Sequence, residues 1–341
     1  MTEPSLTPAE LRLLADAGGA APSLHNSQPW CFRPGADRRS LLVFADPTRA
    51  VPVADPDGRS LHISVGAAVL NLRTAARHLG RAAPVRLCPE PTDSGFLAVL
   101  DLAEPGSPDD PDLYPAIEHR HSSRRPFANR DVPEAVIGEL IAAATAEGAT
   151  LDVLEEAGVR RVLELTTEAE QRIAADIARQ AETRSWLRLE EPAADGIPAA
   201  ALGPLDHDAR VPMRSFTEHP PRPALHTERF EALPQVAVIS THGDGPADWL
   251  RAGQAMERVW LLATLRGVRA SVLHQAVEWA DTRWRLRDPA EGPGHVQMVM
   301  RLGYGPPGAP TPRRPVEEIL DLAEQHEGPG RDVRTQLRSG P

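Results

Sequence analysis

The sequence contains no lysine: all 37 of its Lys+Arg residues are arginine. A lysine Schiff base, a Walker-type phosphate lysine and a lysine general base are therefore excluded. Cysteine is also scarce. Cys31 and Cys88 are the only two, and they form no CxxC pair, which argues against a disulfide framework or a structural zinc site. The histidines show no HExxH or other zinc spacing, so no metal is expected.

No stretch is apolar over enough residues to span a bilayer, and the first ten residues lack a basic, apolar leader. We therefore expect a cytoplasmic protein that does not contact membranes. The net charge of −11 excludes a general nucleic-acid surface, so any phosphate recognition must be local. With 41% hydrophobic and 25% charged residues, the 341-residue chain can bury an ample core.

The first part of the chain alternates helical and strand patterns. Thr7 and Pro8 are typical of a helix start. Predicted elements then follow in this order: a strand at Leu41–Ala45, a helix at Leu61–Leu79, and strands at Val85–Cys88 and Phe96–Leu102. The long helix is rich in small residues along one face, which would let another helix approach closely.

The same order recurs later, with a helix from Asp131 to about 146, a strand at Pro234–Ser240, a helix at Gly253–Gly267 and a strand at Val296–Leu302. Gly66 and Gly80 have the same separation as Gly253 and Gly267. This repetition predicts an α+β protein that is internally duplicated, with halves at 1–110 and 111–330 and a flexible tail at 331–341. The alternative is that two unrelated α+β segments look alike by chance.

The second half carries material that the first lacks. Helices at about 157–188 precede residues 190–229, which are crowded with proline, glycine, alanine and charge. A long segment without periodicity inside a compact domain is usually a functional lid or disordered. We interpret 190–229 as a lid.

Residues 120–124 read Arg-His-Ser-Ser-Arg. Guanidinium groups and hydroxyls at this density can enclose a phosphate through charge-assisted hydrogen bonds. The alternative is a solvated or salt-bridged surface turn.

Residues 22–30 read Pro-Ser-Leu-His-Asn-Ser-Gln-Pro-Trp, a polar loop that opens a strand. Two prolines fix its backbone, and the intervening amides and hydroxyls can face the polar edge of a ring. The alternative is a simple connection in which Asn26 makes a local turn and Trp30 enters the core.

The string from Gly303 to Gly308 matches GxGxxG but is not a dinucleotide fingerprint. Pro306 and Pro307 remove amide donors, and the following residues cannot open the required helix. Arg313 and Arg314 then precede a predicted helix at Val316–Gln325 and could add charge to a phosphate site.

Together these strings resemble the nitroreductase family of FMN enzymes, and most closely its duplicated, Acg-type branch, over nearly the whole chain. Residues 120–127 resemble the family's phosphate motif, and residues 22–30 its Pro-Ser-x-x-Asn-x-Gln-Pro-Trp loop. Residues 267–275 resemble the segment with backbone donors near flavin N5 and O4, and residues 313–318 the C-terminal basic segment. The resemblance implies a cofactor site built from Pro22, Ser23, Leu24, Asn26, Arg120, His121, Ser122, Arg124, Ser271, His274, Gln275, Arg313 and Arg314.

The resemblance implies a nitroreductase-like fold whose halves form a pseudo-dimer within one monomeric chain. The first half has no phosphate clamp before its opening helix, and the second has Thr145–Glu155 where a second Pro-Ser loop would fall. One FMN per chain is therefore expected. The family mechanism implies hydride transfer from NAD(P)H through flavin N5 to nitro- or quinone-like acceptors, with no side-chain nucleophile. Ordinary members often place a lysine near flavin N1 and O2, for which Arg184 or Arg188 could substitute.

Two other functions stay open at this point. One is a non-catalytic stress or dormancy protein that sequesters FMN under a closed lid. The other is a flavin oxidase that tailors a peptide or natural product.

Overall fold

A computed structural model describes residues 5–90, 92–109, 111–189, 193–216, 226–287 and 294–322. The predicted tail at 331–341 lies outside the described residues, as do 190–192 and 217–225 of the predicted lid.

The first half consists of two long helices and a four-stranded antiparallel sheet. Its elements are α1 (Pro8–Gly19), β1 (Trp30–Pro34), β2 (Ser40–Ala45), α2 (Arg59–His78), β3 (Val85–Leu87) and β4 (Phe96–Asp101). The sheet order is β1-β2-β4-β3. Helix α1 begins where predicted, because the Thr7 hydroxyl accepts from the Glu10 amide at 3.2 Å while the Glu10 carboxylate accepts from the Thr7 amide at 2.7 Å.

The second half repeats this plan with an insertion. Its elements are α3 (Ala116–His119), α4 (Glu134–Ala146), β5 (Thr150–Val153), α5 (Glu156–Ala175), α6 (Ile177–Ser185), β6 (Leu187–Arg188), β7 (Ile197–Pro198), β8 (Leu205–Asp206), β9 (Thr227–Glu228), β10 (Gln235–Thr241), α7 (Pro246–Leu265), β11 (Arg269–Val272), α8 (Ala280–Arg285), β12 (His295–Gly303) and α9 (Val316–Ile319). Its main sheet is antiparallel, with the order β11-β12-β10-β5. The predicted α+β class is confirmed.

The two main sheets share one topology. Counted within its own half, each sheet runs first, second, fourth, third strand, and the long helix of each half lies between the second and third strands. An internal duplication would produce this correspondence, and the duplication itself stays a prediction.

Helices α2 and α7 pack against each other at the centre of the main core, and most residues of both are buried. Small residues on the facing sides bring the two backbones into contact at Gly66 and Gly253. The close approach that the sequence predicts is therefore present, and it joins the two halves.

Three predictions of local structure were wrong. Helix α7 begins at Pro246 rather than Gly253, because Pro246 fits a first helical turn and the Asp248 carboxylate accepts from the Gly245 amide at 3.3 Å. The helix predicted from Val316 ends after one turn, at Ile319, because Leu320 pairs with Phe32 of β1 instead. Residues 187–188 form β6, not the end of a helix. Strands β5 and β11 had not been predicted.

Within the residues that the structure describes, no helix is both long enough and apolar enough to cross a membrane.

Candidate functional site

The two polar strings of the sequence meet, although about a hundred residues separate them. The loop at 22–30 from the first half and residues 120–124 from the second line two adjoining cavities. The larger cavity has about 820 Å³ of atom-free space and the smaller about 500 Å³. Both are lined by Pro22, Ser23, His25, Ser122, Arg124 and Ile197, so they form one continuous cleft, the composite cleft.

The loop from Pro22 to Trp30 has an unusual backbone. His25, Asn26 and Gln28 all have positive φ, between 53° and 55°, a region that costs non-glycine residues energy. Hydrogen bonds hold this shape: Ser23 Oγ accepts from the Gln28 amide at 2.9 Å.

Asn26 connects three segments of the chain. Its Nδ2 donates to the carbonyl oxygens of Gly196 and Pro312, both at 3.0 Å, and its Oδ1 accepts from Arg313 at 3.1 Å. The side-chain amide is thus fully used by protein partners. Asn26 lines the smaller cavity, and its hydrogen bonds hold the neighbouring segments in place there.

Residues 122 and 123 run beside the start of β11. The Ser123 amide donates to the Ala270 carbonyl at 2.9 Å, and Ser122 pairs with Ala270 in a parallel bridge. Gly308 approaches so closely that a Cβ there would lie 2.0 Å from the Ser122 carbonyl oxygen. The glycines of the 303–308 string make room for neighbouring backbone and for Phe127, which is why the GxGxxG match has no nucleotide-binding shape.

Arg120 is almost fully buried at the base of the smaller cavity. Its Nε lies 3.2 Å from Glu257 Oε1, it donates to the Ala20 carbonyl at 3.0 Å, and its guanidinium lies over the Trp260 ring at 4.8 Å. These contacts fix the guanidinium in the wall of the cavity.

Arg313 also lines the smaller cavity and donates to the same Ala20 carbonyl at 3.0 Å. Burial lowers the pKa of Arg313 to about 9, with a further lowering by Arg120, so it remains charged at neutral pH. Arg314 does not line the cavity. It donates instead to the carbonyls of Gln28 and Trp30, and so stabilises the loop at 22–30 without facing the cavity.

The larger cavity is mainly apolar. Three of the chain's five methionines lie in its wall, and the apolar side chains that line it are Leu24, Ile63, Ile197, Met213, Phe216, Met256, Trp260, Val272, Leu273 and Met298. Three of these, Ile197, Met213 and Phe216, come from the predicted lid. The described part of that segment therefore forms a wall of the cleft.

Two neutral histidines face this apolar cavity. Burial lowers the pKa of His25 to about 3, helped by Arg214 and Arg124, and burial lowers the pKa of His274 well below its ordinary value. His274 Nε2 lies 3.1 Å from Ser60 Oγ. Gln275 beside it donates to the Pro212 carbonyl at 3.1 Å.

Two arginines add charge to the larger cavity. Burial lowers the pKa of Arg124 to about 10, with Arg214 contributing. Arg214 is itself buried, but its ion pair with Glu278 and the nearby Glu170 outweigh that burial and raise its pKa. Sequence reasoning missed Arg214 because the segment that carries it has no periodicity.

The other proposed cationic residues lie elsewhere. Arg184 is exposed, and Arg188 pairs with Asp195 at 2.7 Å, so neither lines the cleft. Ser271 is buried within β11 and does not line either cavity, whereas the next residues, Val272 and Leu273, do. Among the described side chains, no group of three or more His, Cys, Asp or Glu could hold a metal ion.

Different side chains occupy the place that corresponds to the composite cleft when the two halves are exchanged. With Gly66 aligned on Gly253, Trp260 corresponds to Arg73 and Ser64 to Arg251. Arg73 pairs with Glu147, which also lies 3.5 Å from Arg258. Trp260 and Ser64 line the composite cleft, whereas their counterparts are arginines that form ion pairs.

No family model matches the chain. The solved structure of a nitroreductase with bound FMN from Desulfitobacterium hafniense is similar to 62% of this chain and 98% of its own, with a TM-score of 0.40 and 14% identity. The curated protein "Putative NAD(P)H nitroreductase Rv3131" of Mycobacterium tuberculosis is 32% identical over 317 residues, 89% of each chain. "Putative NAD(P)H nitroreductase acg" of that organism is 28% identical over 90% of this chain and 94% of its own. The identity to the first of these relatives, over nearly the full length, shows that the chain belongs to the nitroreductase family.

Proposed function

We propose that the chain is an FMN-dependent oxidoreductase that uses NAD(P)H to reduce electron-poor acceptors such as nitro compounds or quinones. One observation carries the proposal. A loop from the first half and an arginine cluster from the second line a single cleft that is basic at one end and apolar at the other.

The smaller cavity fits the phosphate of FMN. Arg120, Arg124 and Arg313 bring three guanidinium groups to it, and Ser122 and His121 add polar groups. The buried Nε of Arg313 has no hydrogen-bond partner among the described residues, as expected for a donor that awaits an anion. The apolar wall of the larger cavity suits a flat ring system.

When bound, FMN would supply hydride transfer through its N5, and the protein's own residues would bind and orient the reactants. Arg214 and Arg124 place positive charge beside the apolar cavity, where it would stabilise a reduced, negatively charged ring. His25 and His274 are neutral and add no further positive charge. The methionine and aromatic side chains exclude water, which strengthens these electrostatic interactions.

We further propose one FMN per chain. The place that corresponds to the composite cleft when the two halves are exchanged contains linked ion pairs. Arg258 there lies 3.3 Å from Asp109 and 3.5 Å from Glu147. A second phosphate would have to displace the buried carboxylate of Glu147 and the partly exposed one of Asp109.

Anaerobic absorption spectroscopy tests the proposal. The purified protein should be yellow, hold FMN at one per chain, and lose its flavin absorbance on addition of NADPH or NADH. Dithionite serves as the control for reducibility. A colourless protein that takes up no added FMN would refute the proposal.

A second function is favoured by one specific feature. The described part of the insertion covers the cleft and is tied to the 22–30 loop, since Gln28 donates to the Ala194 carbonyl at 2.9 Å and Asn26 to that of Gly196. A chain that sequesters FMN under a closed lid would hold the flavin tightly but resist NAD(P)H. Deletion within 190–229 would then restore reactivity, whereas rapid bleaching of the intact protein excludes this function.

A further inference from the structure

Glu257 of α7 is fully buried directly behind the smaller cavity. Its Oε1 lies 3.2 Å from Arg120 Nε, but neither of its carboxylate oxygens has a well-directed hydrogen bond from any described residue. A buried carboxylate without such bonds is costly, and the proton is the partner that would relieve this cost.

Asn71 of the first half, which neighbours Glu257, also indicates that a proton would be favourable here. Asn71 of α2 donates through Nδ2 to the Ala17 carbonyl at 3.0 Å, while its Oδ1 is buried without a hydrogen-bond partner in the described structure. The carboxylate of Glu257 is therefore approached by the Arg120 Nε and by the Asn71 side chain, but neither gives it a well-directed hydrogen bond. The charged groups that face Glu257 are Arg120 and Arg313, and both of them line the smaller cavity.

We propose that Glu257 is a positioning residue which couples anion binding in the smaller cavity to the uptake of a proton, acting through Arg120. With the cavity empty, the ionised carboxylate neutralises Arg120. A bound anion competes for the same guanidinium and repels the carboxylate behind it, so Glu257 becomes protonated as the anion enters. The inference uses the anion site of the proposed function and none of the flavin chemistry.

The pKa of Glu257 places this coupling near neutral pH. Burial raises the pKa to about 6, against the lowering effects of Arg120, Asn71 and Arg313. An anion beside Arg120 raises it further, so uptake occurs above about pH 6. Two histidines also line the cavity. The pKa of His121 is lowered by burial and by Arg120 and Arg313, and burial lowers that of His25 to about 3, so His25 stays neutral in this range. Arg313 stays charged throughout this range.

Sulfate is the probe, because it keeps both charges across the whole range and so reports only protein titration. Calorimetry on the flavin-free protein should show sulfate binding that strengthens as the pH falls from about 8 to about 6, approaching tenfold per pH unit. Measurements in two buffers of different ionisation enthalpy should show net uptake of a fraction of a proton, up to about one.

The variant Glu257→Gln keeps the shape and removes the titration. We expect it to bind sulfate at least about threefold more tightly than wild type at pH 8, with a flattened pH dependence. The variant His121→Gln removes the other histidine whose titration could contribute, and a pH dependence due to Glu257 should remain in it. Wild-type binding that is independent of pH, or a slope that survives Glu257→Gln, would overturn the inference.

The buffer comparison needs only wild-type protein, so the inference can be tested even if Glu257→Gln does not fold. Failure to take up FMN would count against the proposed function alone. Sulfate binding without proton uptake would count against Glu257 alone.

Discussion

Gly66 of α2 and Gly253 of α7 hold equivalent places in the contact between the two halves. A Cβ on Gly66 would lie 2.2 Å from the Leu250 carbonyl oxygen, and a Cβ on Gly253 would lie 2.0 Å from that of Ile63. Each glycine thus meets the carbonyl of the residue three positions before the other. The correspondence in strand order between the two main sheets is therefore matched by a reciprocal contact in the helix pair that positions the composite cleft.

Gly253→Ala should destabilise the protein by about 2 kcal/mol or more, because its methyl group meets fixed backbone that cannot rotate away. This cost outweighs the gain of about 1 kcal/mol in helix propensity. Urea unfolding measures the change. Gly138→Ala in α4 is the control, since a Cβ there meets nothing within 4 Å, and it should leave stability equal or raised. Equal stabilities for the two variants would contradict this account.

Arg124→Ala should weaken FMN binding by about ten- to a hundredfold, the loss expected for a charge-assisted hydrogen bond. Arg125→Ala is the matched neighbour. Arg125 is exposed, pairs with Glu228 at 2.5 Å and lines neither cavity of the composite cleft, so its removal should change affinity less than about threefold. Flavin fluorescence titration gives both constants, and equal losses in the two variants would be evidence against the phosphate assignment.

Asn26→Gly should loosen the contact between the loop and the insertion. Glycine accepts the positive φ of this position, so the variant removes the three hydrogen bonds without adding backbone strain. We expect faster amide hydrogen exchange in 193–198 and weaker FMN retention. Ser27→Ala is the control, because no side-chain hydrogen bond of Ser27 is described and exchange should stay as in wild type. Unchanged exchange in the glycine variant would show that Asn26 is not the connection.

Asp206 gives a pH-dependent prediction. Its carboxylate accepts four backbone amides, from Asp208, Arg210, Val211 and Phe230, at 2.7–3.2 Å. Burial alone would raise the pKa of Asp206, but these bonds outweigh it and lower the pKa. The stabilisation is therefore present above the unfolded pKa of about 3.9 and is lost as the pH falls through the lower folded value.

Asp206→Asn should accordingly cost about 1–3 kcal/mol at pH 7, and the gap to wild type should close below about pH 4. Urea unfolding at a series of pH values measures this. The neighbouring Asp208→Asn is the control, since the Asp208 side chain pairs with His207 and Arg210 at the surface. A gap that stays constant with pH would contradict the role given to Asp206.

Local sequence signals predicted much of the fold. The Thr7 cap, the small residues of α2 and the recurring element order are properties of neighbouring residues, and they led to the α+β class. The helix predicted from Val316 failed because a distant partner decides its end. Leu320 leaves its helix to pair with Phe32, which no local pattern encodes.

The residues of the candidate site also fall into two groups, those that a local motif indicates and those that only the folded chain reveals. Arg120, Arg124 and the 22–30 loop carry recognisable strings, and the structure brings them to one cleft. Arg314 stands next to Arg313 yet donates to the Gln28 carbonyl, whereas Arg313 donates to that of Ala20 and lines the smaller cavity. Arg214 and Met213 lie in a stretch without periodicity, so only the folded insertion reveals them.

The Ala20 carbonyl, at the end of α1, receives hydrogen bonds from both Arg120 and Arg313. One oxygen atom thus joins the start, the middle and the late part of the chain. In a nascent polypeptide these two guanidinium groups cannot meet at that oxygen until residue 313 has left the ribosome exit tunnel. Any ligand that requires both arginines can be bound only after residue 313 has emerged, however early the first half folds.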